Sequence, residues 1–345
     1  MPYYQYCGGE AMRRFLGLTA FLLTLTLLPI QAQEKTVILG GDTIAITVNY
    51  EGVYVSGMYD FEVNGETLSA AKEGTIQVGD RIIESNGRQV SSLEELFANL
   101  KTLQKERNQV PVTVIRNGQR EAASLFVCYL ASEKVFKTGL YVKDKIKGVG
   151  TMTYYDPATQ TFAALGHEIA EEGQSRPADV TMGQIFEATV VSVRRSSSGN
   201  PGEKICQSDS LIPIGTVSKN TIYGLYGKVL TYPSTSISVP VASREEATVG
   251  PAEIYTVVQG TIPQRYSIQI TEVRKQNGQT VKGIRFQVTD PALLNQTGGI
   301  IQGMSGSPIL QNGKLIGAVT HMVTSQPESG YGIYIDWMLQ EAQSE

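Results

Sequence analysis

Between residues 148 and 334 this chain carries no apolar pattern with a helical period longer than about two turns. Apolar residues alternate instead in short runs, among them Thr161 to Leu165, Ile185 to Val193, Leu211 to Val217, Tyr255 to Ile270, Ile284 to Thr289 and Gly330 to Ile335. Glycine and Asx turns punctuate them. Period-two alternation puts one face of a strand in a core and the other outside it. A body of about 190 residues written this way is expected to close into a barrel or a pair of packed barrels, which leaves few strand edges exposed. The 35 glycines agree with a β-rich architecture full of tight turns. A length of 345 residues gives room for two or three domains, each with its own core. The formal net charge of −4 lacks the basic footprint of a nucleic-acid binder, so no nucleic-acid partner is expected.

Near the N-terminus, Arg13 and Arg14 precede the apolar run Phe15 to Ile30 and then Gln31-Ala32-Gln33. Basic residues, a short apolar segment and a small residue form the pattern of a secretory signal or an uncleaved membrane anchor over residues 1–33. Export, anchored to the membrane or secreted, is the expectation. Cys7, Cys128 and Cys206 have no metal-type spacing and fall in different segments, so neither a metal, a cofactor nor a structural disulfide is expected.

A second pattern occupies the region before residue 130. Glu73 to Gly87 contains a Gly79-Asp80 turn into the apolar pair Ile82-Ile83 and an Asn86-Gly87 hairpin turn. Ser92-Leu93-Glu94-Glu95 is a capping box, followed by a helix that presents Leu93, Leu96, Phe97, Leu100 and Leu103 on one face. Strands Val112 to Arg116 and Gln119 to Leu125 are joined at Asn117-Gly118. This segment, roughly Thr43 to Val127, resembles a PDZ domain. The resemblance implies binding of an extended peptide by strand addition, with Gly52, Val53, Tyr54, Val55 and Ser56 as the expected carboxylate loop and strand. The bound peptide could be a C-terminus, an internal segment or part of this same chain; a PDZ-shaped spacer with an empty groove is the alternative.

The stretch Gly298 to Thr320 holds the candidate chemistry, with Gly303-Met304-Ser305-Gly306-Ser307-Pro308 at its centre. A serine hydroxyl is a weak nucleophile unless a base stands beside it and N–H donors face the developing oxyanion. In a trypsin-like enzyme those donors come from the nucleophile and the residue two before it, here Ser305 and Gly303. The plain alternative is a small-residue turn between strands. Only two histidines exist, His167 and His321. His167 follows a strand and a glycine, as suits a base held at the rim of a sheet. His321 falls on the strand expected to border the cleft. Asp290 stands 15 positions before Ser305 and is the candidate orienting acid, although Asp before Pro is also a common turn former. Asp179 and Asp209, or a water-supported dyad, are the alternatives. Ser307 is read as a hairpin residue.

The motifs Ala164-Leu165-Gly166-His167, Thr289-Asp290-Pro291, Gly298 to Pro308, Ala318 to Val323, Gly330 to Ile333 and Asp336-Trp337-Met338, in this order behind a PDZ-like unit, resemble the SpoIVB sporulation peptidases. That order separates them from the HtrA group, in which the PDZ unit follows the protease. The resemblance implies a mainly β fold, with a PDZ-like domain at 34–130 and a trypsin-like double β-barrel serine peptidase at 131–345. Ser305 would be the nucleophile, His167 the general base and Asp290 the orienting acid, with no cofactor. It further implies self-cleavage, then cleavage of a membrane-bound regulator that restrains an intramembrane metalloprotease, activating a sigma factor from the space between mother cell and forespore. A non-catalytic PDZ adaptor with a degenerate barrel is the competing expectation.

Overall fold

The computed structural model describes residue 1 and residues 34–170, 180–208, 210–233 and 236–344. The expected export segment lies outside the described residues. From Thr36 to the C-terminus the chain forms one compact unit, dominated by two closed six-stranded barrels.

The N-terminal barrel runs from the first half of strand Thr43–Met58 to Leu140–Asp156, Thr161–Ala164, Gly224–Val229, Gly215–Thr221 and Val180–Glu187, which pairs back onto Thr43–Met58. Its core holds Ile44, Ile46, Val48, Met152, Phe162, Ile185 and Leu225, the alternate residues that a period-two pattern turns inward. The C-terminal barrel closes in the order Gly250–Thr256, Gln264–Val273, Ile284–Val288, Gln326–Tyr334, Lys314–Val323, Pro308–Gln311. Ile254, Ile268, Ile270, Phe286, Ile309 and Ile333 fill it. Phe162 and Phe286 are fully buried, and each contributes about 1.5–3 kcal/mol by leaving water. The expected pair of barrels is thus present.

The PDZ-like unit is inserted into the N-terminal barrel rather than placed before it. Thr43–Met58 and Leu140–Asp156 are two long antiparallel strands, and both run out of the barrel into the PDZ-like sheet. Between the pairs Lys145↔Asn49 and Lys143↔Tyr54 the register slips, and at that bulge Gly52 adopts φ +96°. A Cβ there would stand 2.4 Å from the Ile82 carbonyl oxygen, so only glycine fits the bend. Residues 43–50 therefore belong to the barrel, and the division expected between 130 and 131 does not describe the hydrogen-bonded framework. Strand pairing is non-local, so nothing in the local pattern marked which sheet Ile44, Ile46 and Val48 would join.

Beyond the bend, Val53 and Tyr54 pair with Ile82 and Arg81 on one edge, while Tyr54, Val55, Gly57 and Met58 pair with Lys143, Val142, Tyr141 and Leu140 on the other. Leu140 is buried in the same core as Val53, Leu96 and Leu100. The expected peptide-binding strand, Gly52 to Ser56, is therefore interior to its sheet. It has no free edge onto which a peptide could add, because this chain's own strand already holds that place. Ser92 is the N-cap as expected, its Oγ accepting from the Glu95 N–H, while the Glu95 carboxylate accepts the Ser91 N–H at 2.7 Å and the Leu93 N–H donates to the Asp144 carboxylate at 3.0 Å.

Asp80 pins the turn that leads into Arg81–Ser85. Its side chain is buried, accepts the Gln77 N–H, and takes two guanidinium bonds of 2.7 Å from Arg116. Without Asp80, Arg116 keeps its bonds to Glu121 and the Thr75 carbonyl, but the bond from the Gln77 N–H and two charge-assisted bonds are lost. Asp80→Ala is expected to destabilise the protein by about 2–4 kcal/mol, read from urea unfolding followed by circular dichroism.

Candidate active site

A cleft of about 600 Å³ brings together His167, Gly303, Ser305, Thr320 and His321 with Ile146 to Val149, Leu165 and Ile300 to Gln302. His167 enters it through an unusual turn. After strand Thr161–Ala164, Leu165 and Gly166 both take left-handed conformations, φ +69° and +70°, and swing the chain out of the sheet. A left-handed leucine costs about 1–2 kcal/mol, a strain that clusters at functional sites. The His167 Nδ1–H donates to the Glu168 carbonyl oxygen at 2.7 Å. A carbonyl only accepts, so this bond leaves Nε2 with its lone pair, the tautomer a general base needs. Burial holds the His167 pKa below its ordinary value, partly offset by that same bond and by the Glu168 charge.

His321 packs beside it, with ring centroids 5.6 Å apart. Burial first, then the proximity of His167 and Lys282, pushes its pKa down to about 4. Its Nδ1 is buried without a partner. Both histidines are thus neutral in the fold, whereas in the unfolded chain they take up protons near pH 6.5. A depressed base pKa means stability present above that pH and lost as pH falls. The urea midpoint is therefore expected to drop between pH 6.5 and 4, and to drop less steeply in His321→Gln.

The Gly303 to Ser307 loop owes its shape to bonds on its carbonyl side. The Gln302 oxygen accepts the Lys204 N–H, the Gly303 oxygen accepts Thr151 Oγ1–H at 2.7 Å, and the Ser305 oxygen accepts the Thr151 N–H. Thr153 Oγ1–H donates to the Gly306 oxygen at 2.8 Å. With the Gln302 and Met304 carbonyls held on one side, the N–H groups of the same peptide units, those of Gly303 and Ser305, point the opposite way. Among the described residues neither N–H is bonded to an acceptor. Two unengaged donors, one on the serine and one two residues before it, are what an oxyanion site requires. Ser305 Oγ–H donates to the Thr320 carbonyl at 3.2 Å, on the strand that also carries His321.

Asp290 is elsewhere. It is the N-cap of helix Pro291–Thr297, its Oδ1 accepting from the Ala292 and Leu293 N–H groups and its Oδ2 from the Ser267 N–H. It does not line the cleft, and its carboxylate is committed to the helix end, so the expected orienting acid is corrected to a helix cap. Asp179 and Asp209 lie outside the described residues. Cys128 and Cys206 are free thiols. Among the described residues no group of three or more His, Cys, Asp or Glu side chains could hold a metal ion.

Sequence reasoning missed the group beneath the loop. Lys204 is buried, with Nζ bonded to Thr43, Thr151 and Thr256 hydroxyls at 3.1, 3.2 and 3.1 Å, and burial lowers its pKa to about 7. No local signal marked it: that the lysine of strand Glu203–Gln207 points in while Ile205 points out, 41% exposed, is visible only in the fold.

The comparisons with known proteins bear on this site. The family model described as SpoIVB peptidase S55 matches residues 134–339, more than half of the chain. The chain belongs to the SpoIVB peptidase S55 family. A PDZ domain model matches residues 43–127 of this S55 peptidase, so it is a serine peptidase that carries a PDZ unit. Among solved structures it is similar to the Rv3671c protease of M. tuberculosis in its active form, at 16% identity and a TM-score of 0.32, over 56% of this chain and 72% of that one. An inactive mutant form of the same protease matches at 16% identity and a TM-score of 0.31, over 56% and 79%. No curated protein matches this S55 peptidase.

Proposed function

We propose that this S55 peptidase is an exported regulatory endopeptidase of sporulation, which cuts itself and then a membrane-bound regulatory protein, and that Ser305 and His167 carry its chemistry. The observation that carries the reading is the cleft itself: an unprotonated histidine nitrogen, a serine and two unengaged N–H donors share one cavity between two barrels. Ser305 Oγ attacks the scissile carbonyl, His167 Nε2 takes its proton and returns it to the leaving amine, and the Gly303 and Ser305 N–H groups receive the oxyanion. The Glu168 carbonyl does the orienting that a carboxylate does in a triad. Family membership and the PDZ unit support a protein or peptide substrate.

The adaptor reading loses ground at the peptide strand. An adaptor acting through Gly52 to Ser56 needs a free strand edge, and Leu140 to Lys143 occupies it. Ser305→Ala in cells distinguishes the two. The peptidase reading expects the unprocessed chain to accumulate and sigma-factor activation to fail; unchanged processing would remove the proposal.

A further inference from the structure

Among the described residues Lys204 has no carboxylate partner, and it meets the cleft only from beneath, its stem packed under Gly303, yet burying an amine is costly unless its protons are well used. Its neighbours are hydroxyls, and their hydrogens can be assigned. Thr151 Oγ1–H is committed to the Gly303 oxygen, so Thr151 accepts from Nζ. Ser307 has one hydroxyl hydrogen and two contacts, to the Met304 oxygen at 2.6 Å and to Thr256 Oγ1 at 2.9 Å. The Met304 carbonyl only accepts, so it receives that hydrogen, and Thr256 Oγ1–H donates to Ser307. Thr256 in turn accepts from Lys204 Nζ.

We propose that Lys204 is a positioning residue of the oxyanion site, heading a hydrogen-bonded relay through Thr256 and Ser307 that ends on the Met304–Ser305 peptide, whose N–H is the Ser305 oxyanion donor. Each bond in such a chain polarises the next, so a proton on Nζ makes the Ser305 N–H a stronger donor. The other arm, through Thr151, fixes the Gly303 carbonyl. The lysine stem packs under Gly303, where a Cβ would meet its carbons at 3.1–3.2 Å.

The relay is satisfied in both protonation states. An ammonium donates to all three threonines; a neutral amine donates to Thr151 and Thr256 and accepts from Thr43. Titration therefore removes the charge without dismantling the loop. The residues packed against Nζ from other strands, Thr43, Thr151 and Thr256, carry no charge. Cys206, on the lysine's own strand, is the titratable neighbour, and Asp42 directs its carboxylate to the Tyr155 hydroxyl. With the lysine titrating at about pH 7, the relay is charged below that pH and neutral above it.

This inference rests on Ser305 and His167 acting as proposed, and a fluorophosphonate probe tests both. In labelling, the Ser305 Oγ–P bond forms, the P–F bond breaks, fluoride leaves, and the hydroxyl proton passes to His167 Nε2. The wild-type limiting rate, measured at saturating probe, is expected to fall on the acid side as His167 is protonated and again on the alkaline side through about pH 7. Lys204→Met should lower that limiting rate at pH 6.5 by tenfold or more, leave the half-saturating probe concentration within threefold, and lose the alkaline limb. Thr256→Val, which breaks the relay and keeps the lysine, should lower the rate similarly. A loop merely propped up by Lys204 would shift the melting temperature and leave the wild-type profile flat above pH 7, which overturns the proposal even if Lys204→Met does not fold. A labelled wild type with an unaltered Lys204→Met rate and profile overturns the role of Lys204 alone; a wild type that takes no label at Ser305 overturns the site as well.

Discussion

Ser305→Ala is expected to lower hydrolysis of a peptide reporter by about 10⁴- to 10⁶-fold while leaving the unfolding curve where it was. The size follows from what the hydroxyl does. Without it no acyl-enzyme forms, and the N–H donors and the cleft retain only the residual acceleration of positioning and electrostatics. The stability half of the prediction follows from packing: Ser305 Oγ makes one bond, of 3.2 Å, to the Thr320 carbonyl, and the serine is half-buried. Losing such a bond costs about 1 kcal/mol at most where water can replace it. A loss of activity accompanied by a comparable loss of fold would mean that Ser305 is a structural turn residue, the alternative its glycine-rich context allows.

Gly306→Ala is expected to have the opposite signature, a loss of about 4 kcal/mol or more in stability with activity vanishing alongside. Gly306 adopts φ +92°, and a Cβ on it would stand 2.0 Å from the Thr151 oxygen and 2.4 Å from the Leu165 nitrogen. Both are backbone atoms. Neither can swing aside as a side-chain tip would, and both belong to the contact between the two barrels: Thr151 donates to the Ser305 oxygen, and Leu165 leads into the His167 turn. Gly313→Ala is the control. It also has positive φ, +77°, but open space around it, so it bears only the conformational cost, about 1–2 kcal/mol. Urea unfolding of the two variants separates the steric part from the conformational part.

Much of this organisation was legible in the residue pattern, and the exceptions have physical causes. Ile44, Ile46 and Val48 announce a strand by alternation, yet alternation carries no information about partners, and their pairing with residues 146–150 rather than with the PDZ-like sheet is a long-range fact. Gly303-Met304-Ser305-Gly306 was readable because turns that need positive φ need glycine. Asp290 was ambiguous because a carboxylate before proline suits a helix cap as well as a triad, and local capping bonds form whether or not a histidine is near. Lys204 was hidden for another reason. A lysine in a strand is normally solvated, and that this strand is turned inside out, with Ile205 exposed beside a buried Lys204, is decided by its long-range contacts.

Whether Ser305 is the nucleophile of a cleft whose base is His167 is decided by mass-spectrometric mapping of the fluorophosphonate adduct on wild type, Ser305→Ala and His167→Ala. One adduct, on Ser305, is expected in the wild type, none in Ser305→Ala, and labelling slowed by about a hundredfold or more in His167→Ala with the fold intact. An adduct on Ser307 or any other residue, or labelling of Ser305 that proceeds unchanged without His167, would contradict these roles.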